Sequence, residues 1–551
     1  MNSIVPKGRT IQNRLNTSTD TMISIQDLSK AFERENLFEK INLVLHAKDR
    51  IAFVGKNGSG KTTFFNCIAG KESFNGRIII PDIKISLMEQ EKNFSSLNKT
   101  FEEYLKDKEK KLEERRKELE KQIGDPKSYE NEEKFNSLLD EYNLLLTDPS
   151  FNMEKGSIRK ILKELKMNEA DLNQKIKSLS GGQKTKLRLA ECLSKKADIY
   201  LLDEPTNNLD LITREWLEAY VNANIRTLIV ISHDRYFLNK VVEKVWDLEN
   251  KTIKEWPYKF SEYIKRKKSY IESLEKKYKD AIREKKRLLE SAKAKRDQMS
   301  NLYNPTLAKR LERDAKKLEE VANPFDFIKD INIDFNSKSL HNCAIFRLEN
   351  VEKKFDKVLF KDVNNEINFG EKICIVGENG TGKTTFLKML IGKIEPSKGS
   401  IYRRKDVKIG YFDQELKGID KEKTVMQFFV EETRKDEEQL ISILLKYGFE
   451  KESFQKKIKH LSGGEKGRLN ILRIALEKNN ILVLDEPTNN LDIYLIESLE
   501  NALQKFEGTI VFVSHDRYFV DKVANRILEI KNKKVSSFKG NYSEYIEFKT
   551  S

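Results

Sequence analysis

A chain of 551 residues carries roughly three or four domains' worth of polymer, and with 38% hydrophobic and 35% charged residues it can bury a sizeable core. The mean hydropathy is −0.64, and no run approaches the ~18 consecutive apolar residues of a membrane helix, which excludes a chain that crosses a membrane by helices. The net charge of +15 calls for an anionic partner, most often nucleic acid.

Residues 1–21 are polar, weakly basic and aperiodic, without the apolar stretch of a secretory signal. They read as a disordered tail, or as residues upstream of a start at Met22, where the patterned sequence and a first domain over 22–258 begin. Cys67, Cys192, Cys343 and Cys374 stand far apart with no CxxC pair. That argues against a zinc site or a disulfide framework and fits a reducing, cytoplasmic compartment.

The aliphatic stretch Arg50–Val54 predicts a buried strand, and Gly55 to Thr62 after it fit G-x-x-x-x-G-K-[ST]. Glycines such as Gly58 and Gly60 let backbone N–H groups of the loop, Asn57 and Thr63 included, curl around phosphates. Lys61 neutralises them, the Thr62 hydroxyl suits Mg2+, and the following helix points its positive end at the same anion. Residues 94–150 then predict a helical hairpin, an arm. Phe101, Leu105, Leu112, Leu119 and Ile123 form one apolar stripe, Phe135, Leu138, Tyr142 and Leu145 a second, and Gly124-Asp125-Pro126 breaks between them. With 11 Lys/Arg against 15 Asp/Glu the arm is acidic and a poor RNA ligand.

LSGGQ follows at 179–183, then the aliphatic run Ile199 to Asp203 with Glu204 behind it, then SHDRYF at 232–237. A strand buried on both faces reads like that run. Acids at its carboxyl end would lie beside the phosphate loop, where open α/β sheets bind ligands. Asp203 suits Mg2+ and Glu204 suits orienting or deprotonating an attacking water.

The segment 259–343 reads as a helical linker, and its part 259–323 holds 20 Lys/Arg against 11 Asp/Glu. Lys259 to Met299 has helical spacing without Gly or Pro, and Asn304-Pro305 looks like the N-cap and first residue of a second helix running to about Ala322. The pair predicts an antiparallel hairpin with its tip near 297–306. Basic side chains on such a rod would meet phosphates in a sequence-blind way; the competing reading is a solvated spacer.

A second domain over 344–551 repeats the first. The phosphate loop returns at Gly377 to Thr384, offset by 322; LSGGE at 461–465, VLDEPTNNLD at 483–492 and SHDRYF at 514–519 are each offset by 282. Gly380, Gly382, Lys383 and Thr384, with Asn379 and Thr385, Asp485 and Glu486 take the roles of their counterparts. The predicted fold is α/β: two tandem P-loop ATPase domains joined by a long α-helical hairpin linker, with the arm inserted in the first.

Phosphate loop, LSGGQ/E, aliphatic-Asp-Glu and a following SHD together resemble the nucleotide-binding domain of ATP-binding cassette proteins. The resemblance covers both repeats. It implies that Gln90 and Gln414 sense Mg2+ and the γ-phosphate, that His233 and His515 are switch histidines contacting the γ-phosphate, and that Phe32 and Phe355 stack on adenine; an ordinary core role is the other reading of the two phenylalanines. It also implies that Ser180, Gly181, Gly182 and Gln183 close on the ATP held by copy two, and Ser462, Gly463, Gly464 and Glu465 on the ATP held by copy one. Two ATPs with Mg2+ would then be sandwiched head to tail within one monomer.

SHDRYF, the arm in copy one only and the charged linker resemble the ABC-F subfamily, whose members act on ribosomes. Asn208 and Asn490 depart mildly from the histidine often found there. The resemblance implies a soluble ATPase that enters the tRNA exit site with ATP bound, meets rRNA and tRNA with the linker and the L1 stalk protein with the arm, and leaves on hydrolysis. Met299, Leu302 and Tyr303 would carry the tip toward the peptidyl-transferase centre. A factor that protects the ribosome from antibiotics and a housekeeping translation factor both fit. An ATPase subunit of a membrane transporter is disfavoured, so no membrane subunit is expected.

Overall fold

Each copy is built on a six-stranded sheet with the same strand order. In copy one the order is Thr252–Trp256, Lys244–Glu249, Arg50–Gly55, Thr227–Ile231, Ile199–Asp203, Ile85–Met88; in copy two it is Lys534–Lys539, Arg526–Lys531, Lys372–Gly377, Thr509–Val513, Ile481–Asp485, Ile409–Phe412. All neighbours are parallel except the outermost hairpin of each. The central strands are aliphatic because both faces are covered: every residue of Ile199–Asp203 and of Thr227–Ile231 is buried. The computed structural model describes residues 9–10, 20–32, 35–81, 83–88, 94, 97–125, 132–146, 155–297, 310, 313, 333, 335, 343–413, 419–489 and 491–550.

A smaller antiparallel sheet accompanies each copy, with Thr21–Phe32, Glu35–His46 and Asn75–Ile79 in the first and Ala344–Lys354, Val358–Asn368 and Lys398–Arg403 in the second. The tail expected to be disordered over 1–21 differs in two places, the first being Thr21, which already pairs with His46. Arg9 and Thr10 pair in parallel with Ile78 and Ile79, where the sheet edge offers unpaired backbone groups. The helix Lys61–Ile68 packs on the sheet through Phe64, whose ring lies 4.9 Å from Phe53 and edge-on to Trp246 at 6.4 Å. In copy two Phe386 packs on Phe360 of the smaller sheet at 5.6 Å. All four thiols are free.

The arm is a pair of helices, Phe101–Ile123 and Glu132–Leu146. Thr100 opens the first with a capping box to Glu103, and Gly124 closes it, at the predicted break. The hairpin is held by Arg115 on Glu141 at 2.7 Å and by the Tyr142 hydroxyl donating to Glu120 at 2.9 Å, over the buried Leu119. At its base the Tyr104 hydroxyl donates to Glu191 at 3.3 Å and Lys108 pairs with the same carboxylate. Glu191 lies on the helix Gly181–Leu193 that follows LSGGQ. Replacing 97–148 by a short Gly/Ser loop is expected to leave ATP turnover within about twofold, since the buried Glu191 keeps Lys195 at 3.9 Å when Lys108 is gone. Loss of nucleotide binding in a folded variant would refute that separation of arm from site.

Contacts divide the chain into Met1–Pro257 with Ile331–Ser551, and Tyr258–Asp330. The second unit holds the helix Phe260–Asp297, whose 38 residues span ~57 Å. Its surface carries i,i+4 ion pairs such as Glu262–Arg266 and Glu275–Lys279. The linker was expected to reach 343 but ends earlier, because Ile333 and Phe335 are already buried in the core of copy two, the Phe335 ring edge-on to Phe506 at 6.2 Å. Gln90, Gln414, Asn490, the tip residues Met299, Leu302 and Tyr303, the Asn304-Pro305 cap and most of the second linker helix lie outside the described residues, as does the side chain of Phe32.

Candidate functional site

Three neighbouring strand ends of one sheet assemble each site. Arg50–Gly55 ends in the phosphate loop, Thr227–Ile231 leads to His233, and Ile199–Asp203 ends in Asp203-Glu204, with Asp203 in register with Ile231 and the Glu204 N–H donating to the Ile231 carbonyl at 2.8 Å. Copy two repeats this with Asp485 opposite Val513 and Glu486 N–H on the Val513 carbonyl at 2.9 Å. Glu204 and Glu486 both turn at φ 50°, a left-handed backbone that side chains rarely adopt and that lifts each carboxylate off its strand.

The loops have the shape an anion needs. Gly60 and Gly382 cap their helices at φ 98° and 101°, and a Cβ on Gly60 would come within 3.1 Å of Leu37. Lys61 Nζ donates to the carbonyls of Gly55 and Lys56 at 2.8 Å, and Lys383 Nζ to those of Gly377 and Glu378 at 2.9 and 3.1 Å. Burial holds both ammonium groups below the usual lysine range. The Thr62 hydroxyl donates to Asp203 at 2.6 Å and Thr384 to Asp485 at 3.0 Å. Each pair places two hard oxygen donors together beside the loop, a set that fits Mg2+.

The histidines meet the glutamates. His233 Nε2 is 3.3 Å from Glu204 Oε1 and His515 Nε2 is 3.4 Å from Glu486 Oε1. Burial, with the charge of Asp203 nearby, pushes Glu204 up to about 8, and burial pushes Glu486 up to about 7. Burial and the neighbouring lysine take His233 down to about 4, and the same causes carry His515 well below its usual range. Among the described residues Glu204 Oε2 and His233 Nδ1 are buried without a hydrogen-bond partner. Such orphaned atoms fit a site that completes its bonding with a ligand or water.

The two copies face each other across these sites. A cavity of about 960 Å³ is lined by Ser180, Gly181, Gly182 and Gln183 of copy one and by Asn379, Lys383, Thr384, Thr385, Glu486 and His515 of copy two. Phe355, 55% exposed, also lines it, which sets aside its core reading. The reciprocal cavity, about 530 Å³, joins Gly58, Lys61, Thr62, Asp203, Glu204 and His233 to Ser462, Gly463 and Gly464. Ser180 and Ser462 cap their helices, each closing a capping box with Gln183 or Glu465. Glu465 itself turns away, to Ser453 at 3.0 Å and Lys456 at 3.1 Å. Gly182 has no room for a Cβ, which would stand 2.9 Å from Asn379 Nδ2, and that amide donates to the Asn208 carbonyl at 3.1 Å across the copies.

The reading of the sequence missed what clasps the copies. Arg235 Nη2 donates to the Ile493 carbonyl at 3.0 Å and its guanidinium pairs with Glu500 at 3.4 Å over the Tyr518 ring. Arg517 mirrors this on the Leu211 carbonyl at 3.4 Å, on Glu218 at 3.3 Å and over the Tyr236 ring. The signal was present: the Arg-Tyr of SHDRYF and the glutamates at 218 and 500 all recur at offset 282. Between these pairs Asp516 caps the helix Arg517–Val523, and burial with the nearby Asp234 pushes its carboxyl up to about 6. Its folded pKa thus exceeds its unfolded one, so ionising it opposes folding: the penalty is absent below pH ~4 and complete above pH ~6, worth about 3 kcal/mol. Asp516→Asn keeps a good cap and is expected to raise Tm at pH 8 but not at pH 4; an equal or lower Tm at pH 8 would contradict this.

The family model for ABC transporters matches residues 38–207 and 360–489, together more than half of the chain. The chain is 36% identical over 542 residues to YdiF of Bacillus subtilis, covering 96% of this chain and 83% of that protein. It is 31% identical to ABC transporter F family member 5 of Arabidopsis thaliana (95% and 77%) and 30% identical to the ribosome protection protein VmlR of Bacillus subtilis (93% and 87%). In fold it resembles the archaeal ribosome recycling factor aABCE1 in its complex with the stalk protein aP1, with TM-score 0.58 and 19% identity over 95% of this chain and 92% of that one. Among the described residues no helix is long and apolar enough to cross a membrane.

Proposed function

The chain belongs to the ABC-F branch of the ATP-binding cassette proteins, and from that premise we propose that it is a cytoplasmic ATPase that holds two ATPs between its copies and acts on the ribosome. ATP hydrolysis follows from the residues at each site. Lys61 or Lys383 and the loop N–H groups bind the triphosphate; Thr62 with Asp203, or Thr384 with Asp485, would hold Mg2+, which supplies charge neutralisation at the β- and γ-oxygens. Glu204 or Glu486 orients a water and accepts its proton, His233 or His515 fixes that carboxylate, and the opposite Ser-Gly-Gly segment shields the γ-phosphate. Gln90, Gln414 and Phe32 join these sets by their place in the motifs, and Phe355 by its place at the cavity wall.

The observation that carries the ribosomal reading is the likeness, over 93% of the chain, to a protein named for ribosome protection. The basic linker supports it, with 20 Lys/Arg against 11 Asp/Glu over 259–323. On this reading the ATP-bound form enters the exit site, the acidic arm contacts the L1 stalk protein, and Met299, Leu302 and Tyr303 act near the peptidyl-transferase centre. Cell-free translation inhibited by a lincosamide, a pleuromutilin or a streptogramin A tests it. The protein is expected to rescue synthesis from at least one drug, and Met299→Ala/Leu302→Ala/Tyr303→Ala to abolish rescue while sparing ATP turnover and ribosome binding. No rescue from any of the three would favour the housekeeping factor.

A further inference from the structure

The copies are not mirror images at their histidines. Arg214 is buried on the helix Leu211–Asn224. Its Nε donates to the Leu209 carbonyl at 3.1 Å, and its Nη1 donates both to Asp234 at 2.8 Å and, across the copies, to the main-chain carbonyl of His515 at 2.8 Å. The residue at offset 282 is Ile496, buried and without a donor. His515 in turn holds Glu486 twice, through its ring at 3.4 Å and through its backbone N–H donating to Oε2 at 3.3 Å. Glu204, in the other site, meets the ring of its own histidine at 3.3 Å in the same way, so what differs between the sites is the arginine.

We infer that Arg214 is a positioning residue for the site formed by the phosphate loop of copy two, and that it makes that site the faster of the two. A guanidinium reaching from copy one fixes the His515 main chain only when the copies are closed. Closure therefore also sets the carboxylate of Glu486 in place, and the water it orients needs no further adjustment of the protein. The other site has Ile496 where the clamp would be, so no arginine at the matching position ties its His233 main chain to the opposite copy. Within the ATPase reading, on which this rests, the two ATPs are spent at different rates from nearly identical catalytic residues.

Single-site enzymes test it by phosphate release. Glu204→Gln leaves the copy-two site working and Glu486→Gln leaves the copy-one site. The first is expected to turn over about tenfold faster than the second, the value of one charge-assisted hydrogen bond at the reacting geometry. Arg214→Met/Asp234→Asn removes the cation and its buried counter-ion together, so that neither is left unpaired. In the Glu204→Gln background it should lower kcat to the level of the slow site with KM for ATP within about twofold, and in the Glu486→Gln background it should change little. Arg214→Lys should restore part of the loss. Equal turnover of the two single-site enzymes, or equal loss in both backgrounds, would overturn the inference and leave the ATPase reading standing. Full turnover surviving in Glu204→Gln/Glu486→Gln would overturn both.

Discussion

Glu204→Gln/Glu486→Gln is expected to lose at least about a hundredfold in ATP turnover while binding ATP as the wild type does. The amide keeps the size of the side chain and its seat beyond the strand end, at φ 50° in both copies. It cannot take the proton of the attacking water. The lysines, the loop glycines and the Thr–Asp pairs are untouched, so the triphosphate keeps its ligands. The wild type should show a matching pH dependence. Burial holds Glu204 at about 8 and Glu486 at about 7 in the nucleotide-free protein, so each becomes a proton acceptor as pH rises through that range. Turnover should climb from pH 6 to pH 8.5, and the residual rate of the double variant should not. Wild-type turnover in the variant would remove these glutamates from the chemistry.

Glu500→Ala carries the second large effect, this time on stability. Glu500 is 0% exposed and is shared by Arg235 from the other copy, 6% exposed, and by Lys522 at 3.1 Å. Deleting it strands a buried guanidinium beside a cavity, a loss of about 3–5 kcal/mol. Arg235→Met should cost less, because Glu500 keeps Lys522. The pair Arg235→Met/Glu500→Leu should recover part of the single loss, as matched apolar replacements of buried ion pairs do. Denaturant unfolding of the four proteins checks the order. A Glu500→Ala protein as stable as the wild type would mean that the clasp does not hold the copies together.

What the sequence revealed and what it hid divide along physical lines. The phosphate loops, the Asp-Glu strand ends and the histidines sit in contiguous motifs whose backbone requirements leave a local imprint, and the sheet brings them together through the order of its strands. The arm showed through its two apolar stripes and Gly124, because helical periodicity persists over many residues. Arg9–Thr10 did not, since a two-residue strand has no period to read. The linker's true end was passed over although the sequence carries it: Ile331, Ile333 and Phe335 alternate with polar residues, a period of two that a helical linker would not show. The clasp of Arg235, Arg517, Glu218 and Glu500 is a pairing between positions some 260 to 300 residues apart, visible as recurrence but not as contact until the copies are folded face to face. Arg214 left the opposite trace, a position at which the repeat fails.

The central claim, that ATP closes the copies into a form that binds ribosomes and hydrolysis releases it, is tested most directly by sedimentation of purified ribosomes with the Glu204→Gln/Glu486→Gln protein. The variant should pellet with ribosomes in ATP and stay in the supernatant in ADP, while the wild type in ATP pellets only transiently. A variant that pellets equally in ATP and ADP, or in neither, would contradict the account.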